Sequence, residues 1–201
     1  MNRADFLARV QSATGRNPKA PITRPPAPPS LNPTQDARVL ASRFKLENER
    51  VLGQVHLVEL LQDARESLKA LLVGKTSYVS SSHAILKEFA LEQNGLTLLA
   101  PKDADVGITG ADFAVAATGS LAFSSSHGRL ATLLPFHHII LLKASQILPD
   151  IEDLYAKLGS QTLPSAWGMH TGPSKSADIE QTMALGVHGP GQVDVIVILD
   201  S

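Results

Sequence analysis

The chain has 201 residues, 43% of them hydrophobic, and a formal net charge of -1 at pH 7. This length suits one compact α/β domain with an appendage, and the near-neutral charge gives no electrostatic case for binding nucleic acid or an acidic membrane. We therefore expect a small molecule or a protein as the partner. The absence of cysteine excludes disulfides, thiolate zinc sites, cysteine nucleophiles and iron–sulfur clusters held by this chain.

The N-terminal segment is mixed in charge and lacks the apolar core of a signal peptide. No apolar run in the sequence reaches the roughly 18 residues that a membrane-spanning helix needs. These two features predict a cytoplasmic protein without a membrane span.

The first predicted element is a short amphipathic helix over residues 3–12, with Phe6, Leu7 and Val10 on one face. Such a helix needs a surface to cover it, either on its own domain or on a second copy of the chain. Residues 17–33 are rich in proline and predict a polyproline-like connector, with an ordered strap as the alternative. The predicted organisation is an N-terminal helix (1–16), a linker (17–33) and one α/β domain (34–201).

Strands and helices alternate in the first half of this domain. Thr34 or Asp36 can cap a helix that ends near Gly53, and Ser82 can cap another in "HAILKEFALEQNG". The other predicted elements here are the strand "QVHLV", the helix "ELLQDARESLKALLVG" and the strands "SYVS" and "LTLLA". This alternation predicts a mostly parallel sheet with helices on both faces.

The second half adds the strands "LAFSS", "HHIILLK" and "QVDVIVILD" and the helix "DIEDLYAKLG". The last two strands are nearly continuous apolar runs, which are typical of strands buried on both faces.

Glycine and hydroxyl residues interrupt the apolar pattern between residues 105 and 129. Thr109 can cap a helix that begins near Ala111, and Thr118 precedes the next strand. Loops of this type at strand ends bind ligands in open α/β sheets. The segment matches neither GxGxxG nor the P-loop, so a purely structural role for its glycines is the alternative.

The charged and catalytic side chains form no complete local motif. Arg129 can hold a carboxylate or phosphate with both arms, or form a salt bridge to a carboxylate such as Asp178. The neighbours His137 and His138 point to opposite faces of a strand, and no HExxH-like spacing occurs, so we predict no metal site. The lack of a GxSxG elbow gives a serine nucleophile little support.

The stretch "HTGPSKSADIE" has two interpretations. Ser174 or Ser176 can cap a helix with Asp178 and Glu180 in its first turn. Alternatively, the turn's amides and hydroxyls bind an anion with the help of Lys175. Because the two carboxylates would oppose a free anion, a generic phosphate loop is disfavoured.

Several phrases taken in order resemble one family. They are "GITGADFAVAATGSLAF", "GR" followed by "LLPFHHIILL", "TGPSKSADIE" and "GVHGP". From about Thr34 to the C-terminus the chain resembles the LUD-domain family, that of lactate-utilization protein C. The resemblance implies a fold similar to the NagB/RpiA/CoA-transferase-like group, which holds ribose-phosphate isomerase, CoA-transferases and formyltetrahydrofolate cyclo-ligase.

The resemblance also implies a pathway in which three bacterial proteins together oxidise L-lactate to pyruvate. The iron–sulfur clusters then belong to partner subunits, which agrees with a chain that has no cysteine. The family usually reads "AETG" where this chain has "AATG", so Ala117 replaces a glutamate. If that glutamate carries chemistry in relatives, the role is lost here or moves to Asp112 or Asp178.

The expected function is an accessory component of L-lactate oxidation that binds a small polar ligand and cluster-bearing partners, with no cofactor held by this chain. The alternatives are a stand-alone enzyme on a small anionic substrate and a protein-interaction module. The candidate catalytic residues are Asp112, Asp178 and His188. The candidate ligand-binding residues are Thr109, Thr118, Gly119, Arg129, Gly172, Ser174 and Ser176.

Overall fold

The structure, a computed structural model, describes residues 2–14, 36–160, 162–177 and 183–199. The α-helices are α1 (Arg3–Thr14), α2 (Ala37–Arg50), α3 (Leu61–Leu71), α4 (Leu130–Leu133) and α5 (Ile151–Gly159). Short 3-10 helices span Ala84–Phe89, Leu91–Gln93, Ser125–His127 and Ala144–Gln146. No helix among the described residues is long and apolar enough to cross a membrane.

The strands are β1 (Gln54–Val58), β2 (Ser77–Ser80), β3 (Thr97–Leu98), β4 (Val106–Gly110), β5 (Phe113–Val115), β6 (Ser120–Ser124), β7 (His137–Lys143), β8 (Ile147–Leu148), β9 (Trp167–His170), β10 (Lys175–Ala177), β11 (Met183–Leu185) and β12 (Gln192–Ile198). Six of them form a central sheet in the order β1-β12-β7-β4-β2-β3. Every pairing in this sheet is parallel, which confirms the predicted sheet.

Helices cover both faces of the central sheet. Along β7, Ile140 faces the cluster that includes Phe44 of α2, whereas Ile139 faces the cluster that includes Leu68 of α3. The strand is therefore apolar at consecutive positions because both of its faces are buried. The predicted α/β architecture with two covered faces is confirmed.

A second sheet, which the sequence did not predict, has the order β8-β5-β6-β9. The strands β5 and β6 form an antiparallel hairpin, and β6 also pairs antiparallel with β9. Its Ala114, Leu121 and Phe123 join the core cluster on the α2 face. This sheet therefore extends the domain beside the carboxyl ends of the central strands.

Two predicted helices are wrong. No helix begins near Ala111, because β4 runs through Thr109 to Gly110 and the amide of Asp112 then donates to the carbonyl of Ala122 in the β5–β6 hairpin. The segment after Ser82 forms two 3-10 helices instead of one α-helix, and Ala90 between them has φ of 44°. The first of them is capped by His83, not by Ser82.

A third predicted helix start, at Ser174 or Ser176, is also wrong. Strand β10 pairs antiparallel with β11, so the described parts of this segment are the arms of a hairpin. Strand pairing satisfies backbone groups that a helix would have satisfied internally. Asp178 and Glu180 lie outside the described residues.

The predicted start of α2 at Asp36 is confirmed, since its carboxylate accepts from the amides of Arg38 and Val39. Thr34 and the proline-rich residues 17–33 lie outside the described residues, so the boundaries 1–16, 17–33 and 34–201 stay predictions. Helix α1 matches the predicted amphipathic helix.

Candidate functional site

Two loops with the same four residues build the site. The tetrapeptide Ser-Ser-Ser-His occupies residues 80–83, where β2 ends, and residues 124–127, where β6 ends. The amide of Ser82 donates to the carbonyl of His127 at 3.1 Å, which holds the loops side by side. The rings of His83 and His127 meet edge to face with their centroids 4.8 Å apart.

Asp112 completes the cluster from the loop after β4. One carboxylate oxygen, Oδ2, accepts from the amide of Ser124 at 2.7 Å, and Oδ1 lies 3.2 Å from Nε2 of His127. His83, Asp112 and His127 each offer an atom that lies within 4.8 Å of the others. Since β2 and β4 are neighbouring parallel strands, the cluster lies where open α/β sheets place their ligands.

Gly110 makes room for this cluster. A Cβ at Gly110 would lie 2.2 Å from Nδ1 of His83 and 2.6 Å from Cγ2 of Ile85. The absent side chain therefore lets the imidazole lie against the end of β4. The ring is oriented there because its Nδ1 accepts from the amide of Ile85 at 3.3 Å.

The surroundings of His83 favour a neutral ring. Burial lowers the pKa of His83, the charge of Asp112 partly opposes that change, and His127 adds to the lowering. The cluster thus presents a neutral imidazole beside a carboxylate at neutral pH. Such a pair can donate and accept protons, or ligate a metal ion.

The three side chains open into a cleft of about 460 Å³. Its wall residues are His83, Asp112, Phe113, Ser124, Ser126, His127, Gln146, Thr162, Leu163, Pro164 and Trp167. The amide nitrogen of Gln146 donates to the carbonyls of Ala111 at 2.9 Å and Asp112 at 3.1 Å, which fixes the backbone at the cleft floor. No lysine or arginine is among these described wall residues.

A second hollow, of about 360 Å³, lies between α3 and the 3-10 helices that follow β2. It is lined by residues such as Gln62, Arg65 and Lys69 and by no histidine or carboxylate. We therefore assign the candidate site to the cleft that contains Asp112.

Comparison with known proteins establishes the family. Residues 100–198 match the LUD domain. Lactate utilization protein C from Exiguobacterium sp. is 30% identical to this chain in an alignment that covers 99% of this chain and 96% of the relative. The chain belongs to the LUD domain family.

Other relatives match over a shorter range. Lactate utilization protein C from Halalkalibacterium halodurans is 38% identical over 106 residues, which are 49% of this chain and 46% of the relative. Uncharacterized protein YkgG from Escherichia coli is 33% identical over 106 residues, again 49% of this chain and 46% of the relative. In these two alignments the chain thus covers about half the length of the relative.

A solved structure supports the LUD fold. The crystal structure of a DUF162 family protein from Deinococcus radiodurans superposes with a TM-score of 0.61, covering 82% of this chain and 99% of the other. At 16% sequence identity, this likeness concerns the fold alone.

Of the residues that the sequence predicted for the LUD site, Asp112 lines the cleft. Thr109 is buried in β4, where its hydroxyl lies 2.8 Å from Nε2 of His138. Burial, followed by the charges of His170 and His137, lowers the pKa of His138 to about 3. The geometry gives Thr109 a structural partner inside the protein.

Three predicted ligand-binding residues lie together at the opposite end of the β5–β6 hairpin. The hydroxyl of Thr118 donates to Ser120, and the carbonyl of Gly119 accepts from the side-chain amide of Asn48 at 2.7 Å. Gly172 packs against the end of α2 nearby. Ser120 and Ser124 are four residues apart on β6, so this group lies roughly 13 Å from the cleft.

The other predicted residues are dispersed. The amide of Ser174 donates to the carbonyl of Pro190 at 2.8 Å, and Ser176 lies in β10. The side chains of His188 and Arg129 are exposed. Because Asp178 lies outside the described residues, its contact with Arg129 stays a prediction.

Ala117, where the resemblance implies a glutamate, is not among the residues that line the cleft. Its amide donates to the carbonyl of Pro149 at 3.1 Å, and its side chain packs beside Val115, Ala122 and Leu154. The position is therefore part of the packing between the second sheet and α5.

Sequence reasoning missed most of the cleft wall. None of His83, His127, Gln146 and Trp167 was proposed as a site residue, although all four line the cleft. A usable signal was present, because "SSSH" occurs twice and each copy starts at the last residue of a strand.

Proposed function

We propose that this chain is an accessory component of a system that oxidises L-lactate to pyruvate. Its similarity over nearly its whole length to a protein named lactate utilization protein C supports this role. In this proposal the iron–sulfur clusters are held by partner subunits, since the chain has no cysteine to ligate them.

The observation that carries the site assignment is the cleft in which Asp112 meets two imidazole rings. A volume of about 460 Å³ is within the usual range for small-molecule sites. Ser124 and Ser126 offer hydroxyls, while Phe113 and Trp167 contact each other as an apolar wall. A small polar molecule with hydroxyl or carboxylate groups suits this mixture of donors and acceptors.

Growth on L-lactate tests the pathway. A strain without this gene is expected to fail on L-lactate while growing on pyruvate, and the wild-type gene is expected to restore growth. Asp112→Asn should not restore it, because the cleft loses its carboxylate charge. Asp103→Asn, at an exposed carboxylate that does not line the cleft, is the matched control and should restore growth. Normal growth of the deletion strain on L-lactate would overturn the assignment.

Partner binding has its own test. The tagged full-length chain, purified from cells grown on L-lactate, should carry along proteins that contain iron and acid-labile sulfide. Recovery of the chain without iron from such cells would argue against cluster-bearing partners.

A second candidate function is a stand-alone enzyme on a small anionic substrate, such as a CoA-transferase, isomerase or cyclo-ligase. It is favoured by the 3.2 Å pairing of Asp112 with His127, an arrangement suited to general acid–base chemistry. CoA esters, sugar phosphates, folates, L-lactate and pyruvate should be compared by thermal shift, since a ligand of the native state raises its melting temperature. A shift with CoA esters alone would favour the enzyme, whereas a shift with L-lactate or pyruvate alone would favour the first proposal.

The third candidate function is protein interaction through α1. Phe6, Leu7 and Val10 are 52%, 44% and 43% exposed, so the described chain leaves this apolar face uncovered. If the helix mediates self-association, removal of residues 1–30 should lower the mass measured by light scattering. An unchanged mass would contradict a role for α1 in assembly.

A further inference from the structure

We infer that His83, Asp112 and His127 form a binding site for a divalent transition-metal ion such as Zn²⁺. Each of these three side chains offers one ligand atom that lies within 4.8 Å of the ligand atoms of the other two. The inference does not depend on the lactate pathway, because it concerns the ion and these side chains alone.

The separation of Asp112 and His127 fits two ligands of one ion. Ligand atoms 2.0–2.2 Å from a tetrahedral zinc ion lie roughly 3.3–3.5 Å apart, and Oδ1 of Asp112 is 3.2 Å from Nε2 of His127. The ligand atoms of the three residues lie within 4.8 Å of one another. A side-chain rotation that moves His83 inward by at most about 1.5 Å therefore completes a three-ligand set.

The residues around the ligands hold them in place. The amide of Ser124 binds Oδ2 of Asp112 and leaves Oδ1 for the ion. Gln146 fixes the backbone carbonyl of Asp112, and the bond from Ser82 to the carbonyl of His127 joins the two histidine loops. Outer hydrogen bonds of this kind orient ligands and strengthen metal binding.

The charge and ligand types select the class of ion. Two imidazoles and one carboxylate suit Zn²⁺, Fe²⁺, Co²⁺ or Mn²⁺ better than Ca²⁺ or Mg²⁺, which prefer oxygen ligands alone. No lysine or arginine among the described wall residues competes for Asp112.

Three protein ligands leave an open coordination position toward the cleft, as in zinc sites that bind water or a substrate. The cleft of about 460 Å³ gives a small oxygen-bearing molecule access to that position. The assigned site is therefore of the open kind and differs from a closed structural site with four protein ligands.

Metal binding has a consequence for the amide of Ile85. A neutral imidazole has one nitrogen lone pair, and that of His83 now accepts from the amide of Ile85. When the ring gives this lone pair to an ion, the amide loses its acceptor whichever nitrogen binds. The bond is long, at 3.3 Å, so its loss is a small opposing cost.

The test uses the full chain stripped with EDTA and titrated with Zn²⁺ by calorimetry and with Co²⁺ by visible absorption. One ion per chain is expected. Asp112→Asn, His83→Gln and His127→Gln should each weaken Zn²⁺ binding at least tenfold, and the double histidine variant should abolish it. Asp103→Asn, at an exposed carboxylate outside the cleft, is the matched control and should bind as the wild type does. Asp112→Asn retains an oxygen for the Ser124 amide, so it is the variant expected to fold normally.

A second measurement needs no variant. In an amide NMR spectrum of the wild-type chain, Zn²⁺ should shift the Ile85 signal more than that of Leu185, a residue of β11 outside the cleft. Failure to bind Zn²⁺ or Co²⁺ would overturn the site, and so would unchanged affinity in Asp112→Asn or an unmoved Ile85 amide. If only the growth test fails, so that the wild-type gene does not restore growth on L-lactate, the pathway proposal is overturned and the metal site still stands.

Discussion

Asp194 and His137 form a buried hydrogen-bonded pair between the central strands β12 and β7, with Nε2 of His137 2.9 Å from Oδ2 of the carboxylate. Oδ1 accepts from His56 at 2.8 Å, and Gln192 also donates to Oδ2. Burial raises the pKa of Asp194, but the hydrogen bonds from His137, His56 and Gln192 outweigh it and hold the pKa well below its usual range. The carboxylate is thus charged at neutral pH inside the sheet.

We expect Asp194→Asn to lower the free energy of unfolding by about 2–4 kcal/mol. The substitution keeps the shape but replaces one acceptor oxygen with an NH₂ group, which then faces donors. Urea unfolding at pH 7 measures the loss. Asp103→Asn, at an exposed carboxylate, is the matched control and should change stability by no more than about 0.5 kcal/mol. Equal effects of the two substitutions would contradict the importance of the buried network.

Thr109 gives a test of structural against ligand-binding roles. Its hydroxyl is the hydrogen-bond partner of the buried His138 ring, whose other nitrogen has no partner within the described residues. Thr109→Val should therefore lower stability by about 1–3 kcal/mol because the ring loses this bond. Thr109→Ser retains the hydroxyl and should keep most of the stability. If both variants are as stable as the wild type in urea, the contact has no structural importance.

The buried ring of His138 also makes stability depend on pH. The unfolded histidine takes up a proton near pH 6.5, whereas burial holds the folded pKa to about 3. The difference between the two pKa values contributes fully to the free energy of unfolding above pH 6.5. The contribution declines as the pH falls toward 3, by at most about 1.4 kcal/mol per pH unit. Unfolding of the wild type and of His138→Leu should be compared from pH 7 to pH 5. The variant should lose less stability over that range, and parallel curves would contradict the prediction.

The elements that could be predicted from the sequence are those whose burial leaves a local pattern of apolar residues. Residues such as Ile139 and Ile140 are both apolar because β7 is covered on both faces, and this produces a run that can be recognised without a structure. The helices α2 and α3 were likewise predicted, since their apolar spacing and end signals are local.

The site could not be predicted in the same way because its parts are distant in sequence. His83, Asp112 and His127 come from three loops, and their convergence depends on β2 and β4 being neighbours and on the unpredicted hairpin of β5 and β6. The prediction instead grouped residues by local glycine and hydroxyl content. That signal marks turns, and at Thr118 and Gly119 the turn lies at the far end of the hairpin.

Gly119 shows what the turn glycine does. Its φ is +65°, and a Cβ there would lie 2.3 Å from the amide nitrogen of Asn48 and 2.6 Å from the carbonyl carbon of Glu47. These are backbone atoms of α2, which cannot move away as a flexible side chain can. The glycine thus permits both the left-handed conformation and the close approach of the hairpin to the helix.

We expect Gly119→Ala to lower the free energy of unfolding by about 3 kcal/mol or more, from backbone strain and from overpacking against α2. Gly74→Ala is the matched control, because Gly74 has a φ of +79° but no neighbouring atom within 4 Å of an added Cβ. The control should show the conformational cost alone, about 1 kcal/mol. Urea unfolding of the two variants separates these contributions. If the two variants lose the same free energy of unfolding, α2 and the hairpin can move apart without cost. The close contact with α2 would then not explain why residue 119 is a glycine.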